Sequence, residues 1–290
     1  MRYAPSMNRW VLAALVTSVL ASPALAHPGS GIVVDRSGRI YFVDTGSGLW
    51  KLEAHGELTR IDPSRFHWLT IDPDDRFKST TLPSGAGGEV TRVGSAPTLL
   101  IASDYPLVIA RDGNLYYPRR ASAESVDVVR LLPSGQTSVL TKLPYPYLNG
   151  LAAAPGGSLY FTEHKNIRKI SADGKVAMVA ANVAPSGCAS IPGTEANDSL
   201  RGLAIDAGGT VYVAASACGS VLKIAPDGKI TKVLQTESPW SPTAVALSGG
   251  DVYVLEYLHT AAEDRRAWVP RVRKISADGK SAVLATVSRP

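Results

Sequence analysis

A short phrase of residues recurs from about residue 31 to the C-terminal region of this chain of 290 residues. In one copy, the apolar runs Leu203–Ile205 and Val211–Val213 lie on either side of Gly208-Gly209, and Val221–Lys229 follows after a gap. The unit returns at intervals of about 40 residues, which is the period of a β-propeller blade built from four short strands. The repeat therefore predicts an all-β fold, a six-bladed β-propeller with four antiparallel strands per blade.

One register aligns five of the six units. Nine residues after the apolar residue that opens the first strand, each of these units carries a tyrosine, namely Tyr41, Tyr116, Tyr160, Tyr212 and Tyr253. A glycine-containing turn lies between the two positions, as a tight hairpin requires. The unit that opens at Leu69 lacks the tyrosine, and residues 90–93 and 98–101 are predicted to supply its outer strands. The blades are predicted to begin near residues 31, 68, 106, 150, 202 and 243.

The N-terminal region has the pattern of a secretory signal peptide. Arg2 and Arg9 precede Trp10–Leu20, an apolar stretch too short to span a bilayer comfortably, and residues 24–26 read Ala-Leu-Ala, a small-x-small cleavage site. We predict that residues 1–26 are removed and that residues 27–290 form a single propeller domain, exported to the periplasm or secreted. Retention of the segment as a membrane anchor is the alternative. We expect no stable membrane span after cleavage.

Charge and cysteine content limit the expected partners. Loss of residues 1–26 removes two arginines and no acidic residue, which lowers the formal net charge from +5 to +3. The lysines mostly occupy equivalent positions of the repeats, which favours a ring of solvated charge over a nucleic-acid surface. In an oxidising compartment the two cysteines, Cys188 and Cys218, are predicted to form a disulfide, with free thiols or metal ligation as the alternative. We expect a monomer without a nucleic-acid partner.

The register also indicates where a site would lie. In a propeller the first strand of every blade lines the central channel, and ligands usually bind on the face where these strands begin, called the mouth face below. Residues that vary on a repeated scaffold mark where function is grafted. Two places before the opening residue of each first strand lie Ser30, His67, Tyr105, Asn149, Arg201 and Pro242. Three places past the repeated tyrosine lie Asp44, Arg119, Glu163, Ala215 and Glu256.

These positions predict one small-molecule site on the mouth face. The predicted ligand-binding residues are His67, Tyr105, Asn149, Arg201, Arg119 and His259. Glu163 and Glu256 are the predicted catalytic residues, because a carboxylate in a partly apolar mouth can act as a general base. The alternative is that both are surface carboxylates that balance Arg119 and Arg201.

Three insertions are predicted to lie on the same face, at residues 80–88, 182–199 and 257–269. Loops of this length in a compact fold are lids, binding loops or disordered segments. His259 lies in the last of them. Cys188 lies in the second, so a bond to Cys218 would pin that insertion to the fifth blade.

The repeated phrase, with its Val-Tyr-Val and Asp-Gly-Lys pieces, resembles two related groups of six-bladed propellers over nearly all of residues 31–286. These groups are the NHL-repeat proteins and the senescence marker protein/gluconolactonase superfamily, whose relatives include strictosidine synthase-like proteins. The metal-dependent lactonases of that superfamily hold a divalent cation with a Glu, an Asn and an Asp. Asn149 matches their Asn-Gly-Leu piece, whereas Ser30 and Arg201 stand at the Glu and Asp positions. A guanidinium beside a hard cation is repulsive, so this ligand set does not support calcium or zinc, and no metal ligand is assigned.

The resemblance implies a lactonase-like or esterase-like hydrolase that lacks most of the family's metal ligands. Strictosidine synthase-like relatives imply an alternative, a metal-independent acid–base enzyme that uses a Glu. A non-catalytic NHL-type binding module for a small ligand, glycan or protein is the other alternative. Arg201 is predicted to occupy the space of a metal and to pair with Glu163 or Glu256, since an unpaired buried charge is unfavourable. The same guanidinium would suit an anionic ligand.

Overall fold

The computed structural model describes residues 28–84, 89–94, 97–103, 105–144, 148–184, 188, 200–258 and 268–288. These residues form six antiparallel sheets around a central channel, and the predicted six-bladed β-propeller is confirmed. Five sheets contain four strands, whereas the second contains three strands within the described residues. The fold has almost no helix, and the described helical segment is a single 3-10 turn at Ser216–Cys218.

The strands are numbered in chain order. The first blade contains β1 (Ile32–Val34), β2 (Ile40–Asp44), β3 (Gly48–Leu52) and β4 (Leu58–Asp62), and the second contains β5 (Trp68–Asp72), β6 (Val90–Val93) and β7 (Thr98–Ala102). The third contains β8 (Val108–Ile109), β9 (Leu115–Arg120), β10 (Ser125–Leu131) and β11 (Thr137–Pro144), and the fourth contains β12 (Gly150–Ala153), β13 (Leu159–Glu163), β14 (Asn166–Ile170) and β15 (Val176–Ala180). The fifth contains β16 (Leu203–Ile205), β17 (Val211–Ala215), β18 (Ser220–Ile224) and β19 (Ile230–Gln235), and the sixth contains β20 (Trp240–Ser248), β21 (Asp251–Leu258), β22 (Pro270–Ile275) and β23 (Ser281–Thr286).

The repeated tyrosine lies on the second strand of its blade and faces a cation on the third strand. The cross-strand pairs are Tyr41 with Lys51, Tyr116 with Arg130, Tyr160 with Lys169, Tyr212 with Lys223 and Tyr253 with Lys274. The ammonium nitrogens of Lys169 and Lys223 both lie 5.7 Å from the centroid of the paired ring. Such a contact contributes about 0.5–1 kcal/mol at exposed sites. The repeated lysines of the third strands, Lys169, Lys223 and Lys274, are therefore partners of the tyrosines.

The second blade has a different strand order from the other five. Residues 90–93 and 98–102 form the two strands outside β5, as predicted, but the spatial order is β5-β7-β6, which places β7 between the other two. Every residue of β7 is buried, whereas β6 carries the partly exposed Arg92. A mainly apolar strand is stable where neighbouring strands and sheets cover it, so β7 occupies the middle of the sheet. Phe77, fully buried in the apolar core, lies one residue before the position where the other blades have their tyrosine.

Glycines allow the innermost strands to approach one another at the mouth face. A Cβ atom on Gly150 would lie 2.5 Å from the carbonyl oxygen of Arg201, and one on Gly202 would lie 2.9 Å from Cα of Ala244. Real Cβ atoms do not approach backbone so closely, so these positions require glycine. The result is a tight ring of strand beginnings, in which Ser30 donates to His67 and Gly202 donates to Thr243 of the next blade.

The ring closes by packing between two complete blades. The first and sixth sheets are each built from consecutive strands of their own. Between them, Ile32, Phe42, Leu255 and Val272 pack in one buried apolar cluster. The hydroxyl group of Tyr257 donates a hydrogen bond of 2.8 Å to the carbonyl oxygen of Val43. Burial of this apolar surface, at about 25 cal/mol per Å², supplies the closing interaction.

Candidate functional site

The six innermost strands, β1, β5, β8, β12, β16 and β20, line a central channel with a volume of 390 Å³. Its walls are mainly aliphatic, with Leu69, Leu107, Leu151 and Leu203 among the lining residues, and Ser30 lies on the wall at the mouth face. The buried hydroxyl oxygen of Ser30 has no hydrogen-bond partner among the described residues. An apolar channel with polar groups at one end has the composition of a small-molecule site.

Ser30, His67 and Arg201 come together at the mouth face. The backbone N–H of Ser30 donates to the carbonyl oxygen of His67 at 2.7 Å, which joins the beginnings of the first two blades. Arg201 is only 8% exposed, and its Nη1 atom donates to the carbonyl oxygen of Pro28 at 3.1 Å. A guanidinium of the fifth blade therefore contacts the chain segment that leads into the first blade.

His67 is buried and has a defined ring orientation. Its Nδ1 atom lies 2.6 Å from the carbonyl oxygen of Ser103. A carbonyl only accepts hydrogen bonds, so this contact requires the proton on Nδ1. This contact holds the imidazole against the backbone of Ser103, and the ligand-binding role of His67 remains a prediction.

Tyr105 lies deeper than its predicted role suggests. It is buried in the apolar cluster between the second and third blades, where its ring stacks on that of Tyr117 with centroids 5.5 Å apart. The side chain belongs to the core of the blade interface. Its assignment as a ligand contact remains a prediction.

Asn149 and Glu163 are neighbours on the fourth blade. The backbone N–H of Asn149 donates to the carbonyl oxygen of Thr162 at 3.1 Å, and the next residue is Glu163. The side chain of Glu163 is partly exposed, and its Oε2 lies 3.3 Å from Nε of Arg168. The amide and the carboxylate therefore start from adjacent backbone positions at the mouth face.

Glu256 has a different environment. Its side chain is 0% exposed, and its carboxylate accepts hydrogen bonds from Nε of Arg271 and from Nε of Arg273, the latter at 3.1 Å. The outer Nη2 atoms of the same arginines contact Glu237, at 2.7 Å from Arg271 and 3.0 Å from Arg273. Two arginines thus neutralise two carboxylates, and these contacts favour a charge-balancing role for Glu256 over the predicted catalytic one.

The expected pairing of Arg201 with Glu163 or Glu256 is wrong. Glu163 contacts Arg168, and Glu256 contacts Arg271 and Arg273. The physical reason is that the arginines on β14 and β22 lie on strands next to those of Glu163 and Glu256. They are therefore closer to these carboxylates than Arg201 of the fifth blade is. The alternative that these carboxylates balance Arg119 is not seen either, because the Nη2 atom of Arg119 lies 3.4 Å from Asp127 at an exposed position.

Partial burial raises the pKa of Glu237, but a backbone hydrogen bond and the guanidinium groups of Arg271 and Arg273 outweigh it, so that the pKa lies below its usual value. Glu237 therefore stays ionised and paired under mildly acidic conditions. The stabilisation from this depressed pKa is present at pH values above about 4.5 and is lost as the pH falls through the folded-state value.

Cys188 and Cys218 form the predicted disulfide. Cys218 ends the 3-10 turn, in which the carbonyl oxygen of Ser216 accepts a hydrogen bond of 2.8 Å from the hydroxyl group of Ser241. The hydroxyl group of Ser216 donates to the carbonyl oxygen of Pro242. The bond joins residues separated by 30 positions, and by the chain-entropy model it contributes about 3–4 kcal/mol. It fixes Cys188 to the mouth end of the fifth blade.

Several predicted features lie wholly or partly outside the described residues. His259 and the signal segment 1–26 are among them, as is most of the insertion at 182–199. Within the described ranges, no helix is long and apolar enough to cross a membrane. Over the same part of the chain, no group of three or more His, Cys, Asp or Glu side chains forms a metal-binding cluster.

The family's divalent cation can be tested against the groups at the mouth face. Of the three positions that the resemblance assigns to its ligands, only Asn149 offers an oxygen ligand of the expected kind. Ser30 places a neutral hydroxyl at the second position, and Arg201 places a buried guanidinium at the third. Hard cations prefer several carboxylate or carbonyl oxygens, so these three side chains do not fit the group. No chemical step below passes through a metal.

The fold and the polar residues at one end of its channel define a six-bladed propeller with a candidate small-molecule site. The sequence pattern of the SMP-30/Gluconolactonase/LRE-like region matches residues 107–261. This match covers more than half of the chain, which belongs to that family.

The chain is also similar to a curated lactonase and to solved structures. The chain is 26% identical over 239 residues to 6-deoxy-6-sulfogluconolactonase of Pseudomonas putida, an alignment that covers 78% of this chain and 67% of that protein. The PQQ-bound aldose sugar dehydrogenase of Streptomyces coelicolor superimposes with a TM-score of 0.53 at 14% identity, covering 83% of this chain and 90% of that one. A luciferin-regenerating enzyme gives a TM-score of 0.53 at 17% identity, with coverage of 84% and 91%. At these identities the two structures support the fold alone.

Proposed function

We propose that the protein is an exported hydrolase of small, sugar-derived lactones that carry an anionic group, and that the mouth face binds them. The observation that carries the proposal is the buried guanidinium of Arg201 at the end of the channel, close to the segment that leads to Ser30. A guanidinium grips a carboxylate or sulfonate through two parallel hydrogen bonds. The relative from Pseudomonas putida, whose name specifies a sulfonated lactone, points to the same class of substrate.

Glu163 and Asn149 are the residues that we assign to the chemistry. A water molecule attacks the carbonyl carbon of the lactone while the carboxylate of Glu163 accepts its proton. The carbonyl oxygen then carries the negative charge, and the side-chain amide of Asn149 stabilises it by donating a hydrogen bond. When the carbonyl reforms, the ring C–O bond breaks, and the ring oxygen leaves as a hydroxyl group with the proton from Glu163. The product is the open hydroxy acid.

Export is part of the proposal. Its support is the positively charged and apolar pattern of residues 1–26 together with the disulfide between Cys188 and Cys218. Disulfides persist in oxidising compartments and are rare in the cytosol. Sequencing the N-terminus of protein recovered from the periplasm or the medium is expected to begin at His27.

Arg201→Met tests the proposed site. The purified protein would be assayed on glucono-1,5-lactone and on its 6-deoxy-6-sulfo derivative, with substrate binding and turnover measured separately. The variant is expected to lose about 10- to 100-fold in kcat/KM for the sulfonated lactone, since a hydrogen bond to a charged group contributes about 1.5–3 kcal/mol. The neutral lactone should be affected much less. Arg36→Met is the matched control, because Arg36 is an exposed arginine in the turn between β1 and β2, paired with Asp74 at 2.9 Å.

Equal losses on both lactones would show that Arg201 supports the fold or the general shape of the mouth, and the anionic preference would be wrong. Tight binding of the sulfonated lactone without turnover would support the binding-module alternative over the hydrolase. No binding of either lactone would remove the proposed substrate class.

A further inference from the structure

Two arginines at the boundary of the fifth and sixth blades form a second cationic site, separate from Arg201. Arg271 and Arg273 alternate on β22, so both side chains point to the same side of the strand. Their Nε atoms contact the buried carboxylate of Glu256, and their Nη2 atoms point outward to the carboxylate of Glu237. The four charges balance, with one carboxylate behind the arginine pair and one in front of it.

The inner side of this arrangement is rigid. Glu256 is 0% exposed, and the side chains of Arg271 and Arg273 are 7% and 10% exposed. The guanidinium carbon of Arg271 lies 3.9 Å from the centroid of the Trp240 ring, which is a stacked cation–π contact. Contacts with a buried carboxylate and an aromatic ring fix the direction in which the outer nitrogen atoms point.

The outer side is exposed to solvent. The side chain of Glu237 is 58% exposed, although it accepts hydrogen bonds from both arginines. Its backbone is held in place, because the carbonyl oxygen of Glu237 accepts from Trp240 at 2.9 Å and the N–H of Thr236 donates to Gly219 at 2.7 Å. Rotation of the Glu237 side chain into solvent would therefore uncover the Nη2 atoms without moving the turn that carries it.

We propose that Arg271 and Arg273 form an oxyanion-binding site that Glu237 occupies in the ligand-free protein. A carboxylate, sulfonate or phosphate group of a small ligand takes the place of the Glu237 side chain and accepts the same two outward hydrogen bonds. Glu256 neutralises one of the two guanidinium charges, so the pair keeps one positive charge for the incoming group. Because Arg201 is not involved, this site does not depend on the proposed lactonase function.

Glu237→Gln tests the exchange, since glutamine keeps the shape of the side chain and removes the competing charge. The probes are acetate, methanesulfonate and inorganic phosphate, titrated by calorimetry at constant ionic strength. The variant is expected to bind at least one of them about tenfold or more tightly than the wild type does, which corresponds to about 1.4 kcal/mol. The preferred probe identifies which oxyanion the site takes. Binding should also change the fluorescence of Trp240, and Trp240→Phe should remove that signal.

Glu57→Gln is the matched control, because Glu57 is an equally exposed glutamate paired with His55 on another blade. Unchanged affinity in Glu237→Gln, with thermal unfolding showing an intact fold, would overturn the proposal. The double variant Glu237→Gln/Arg273→Met keeps the remaining charges balanced and should lose the gained affinity. If Arg201→Met abolishes the anion binding and the double variant retains it, the anion binds at Arg201 and the second site is wrong.

Discussion

Replacing Glu163 by glutamine should lower the turnover of the sulfonated lactone by about a hundredfold or more, because a positioned general base contributes about 10²–10⁴ in rate. The substrate should bind almost as well as before, so the loss is expected in kcat and not in KM. Steady-state kinetics on purified protein would measure both quantities. This expectation rests on the position of Glu163, which is partly exposed at the mouth face. Glu163 directly follows Thr162, whose carbonyl oxygen accepts a hydrogen bond from the backbone N–H of Asn149.

The thermal stability of Glu163→Gln distinguishes a catalytic role of Glu163 from a structural one. The Glu163–Arg168 pair is partly exposed at 3.3 Å, and such pairs contribute at most about 1 kcal/mol. Glu163→Gln should therefore remain folded, with a thermal midpoint close to that of the wild type. Full activity in a folded variant would remove Glu163 from the mechanism.

Replacing Glu256 by glutamine should cause the largest loss of stability, about 3–5 kcal/mol, because it leaves buried positive charge without its partner. Arg271 and Arg273 would then share only Glu237, which is more than half exposed. Urea unfolding monitored by circular dichroism would give the free energy of unfolding. Glu237→Gln is the internal comparison, and it should lose much less because water screens an exposed carboxylate.

A smaller loss for Glu256→Gln than for Glu237→Gln would contradict the charge-balancing role of Glu256. It would reopen the prediction that this carboxylate acts in catalysis. The order of the two losses in unfolding free energy therefore decides between the charge-balancing and the catalytic role of Glu256.

The fold could be predicted because its information is local and repeated. A tyrosine nine residues after an apolar opening, with a glycine turn between, determines a hairpin, and a cation on the next strand completes the pairing seen for Tyr160 and Lys169. The strand order of the second blade could not be predicted from the repeat. Both 90–93 and 98–102 read as strands, but their order across the sheet depends on which of them can be buried on both faces, and only the packed structure decides that.

The candidate site could be predicted only in part, because its contacts join distant segments. The register placed Ser30, His67 and Arg201 on one face, yet the bond from Arg201 to Pro28 spans 173 positions and has no sequence pattern. The partners of Glu256 were missed for a different reason. Arg271 and Arg273 flank Val272, so the alternation of the strand puts both arginines on one side and the valine on the other. Exposed outer strands commonly show the same alternation, so the pattern did not indicate a buried carboxylate beside the two arginines.

In the proposed function, Arg201 binds the anionic group of a lactone at the mouth face, and hydrolysis there proceeds without the family's divalent cation. The most direct test is the turnover of the sulfonated lactone by protein that has been treated with a chelator and shown by mass spectrometry to be free of metal. The account predicts that the treated protein keeps its activity and that Arg201→Met loses it. Activity that disappears with the chelator and returns with stoichiometric calcium or zinc, bound tightly and dependent on Asn149, would contradict the account.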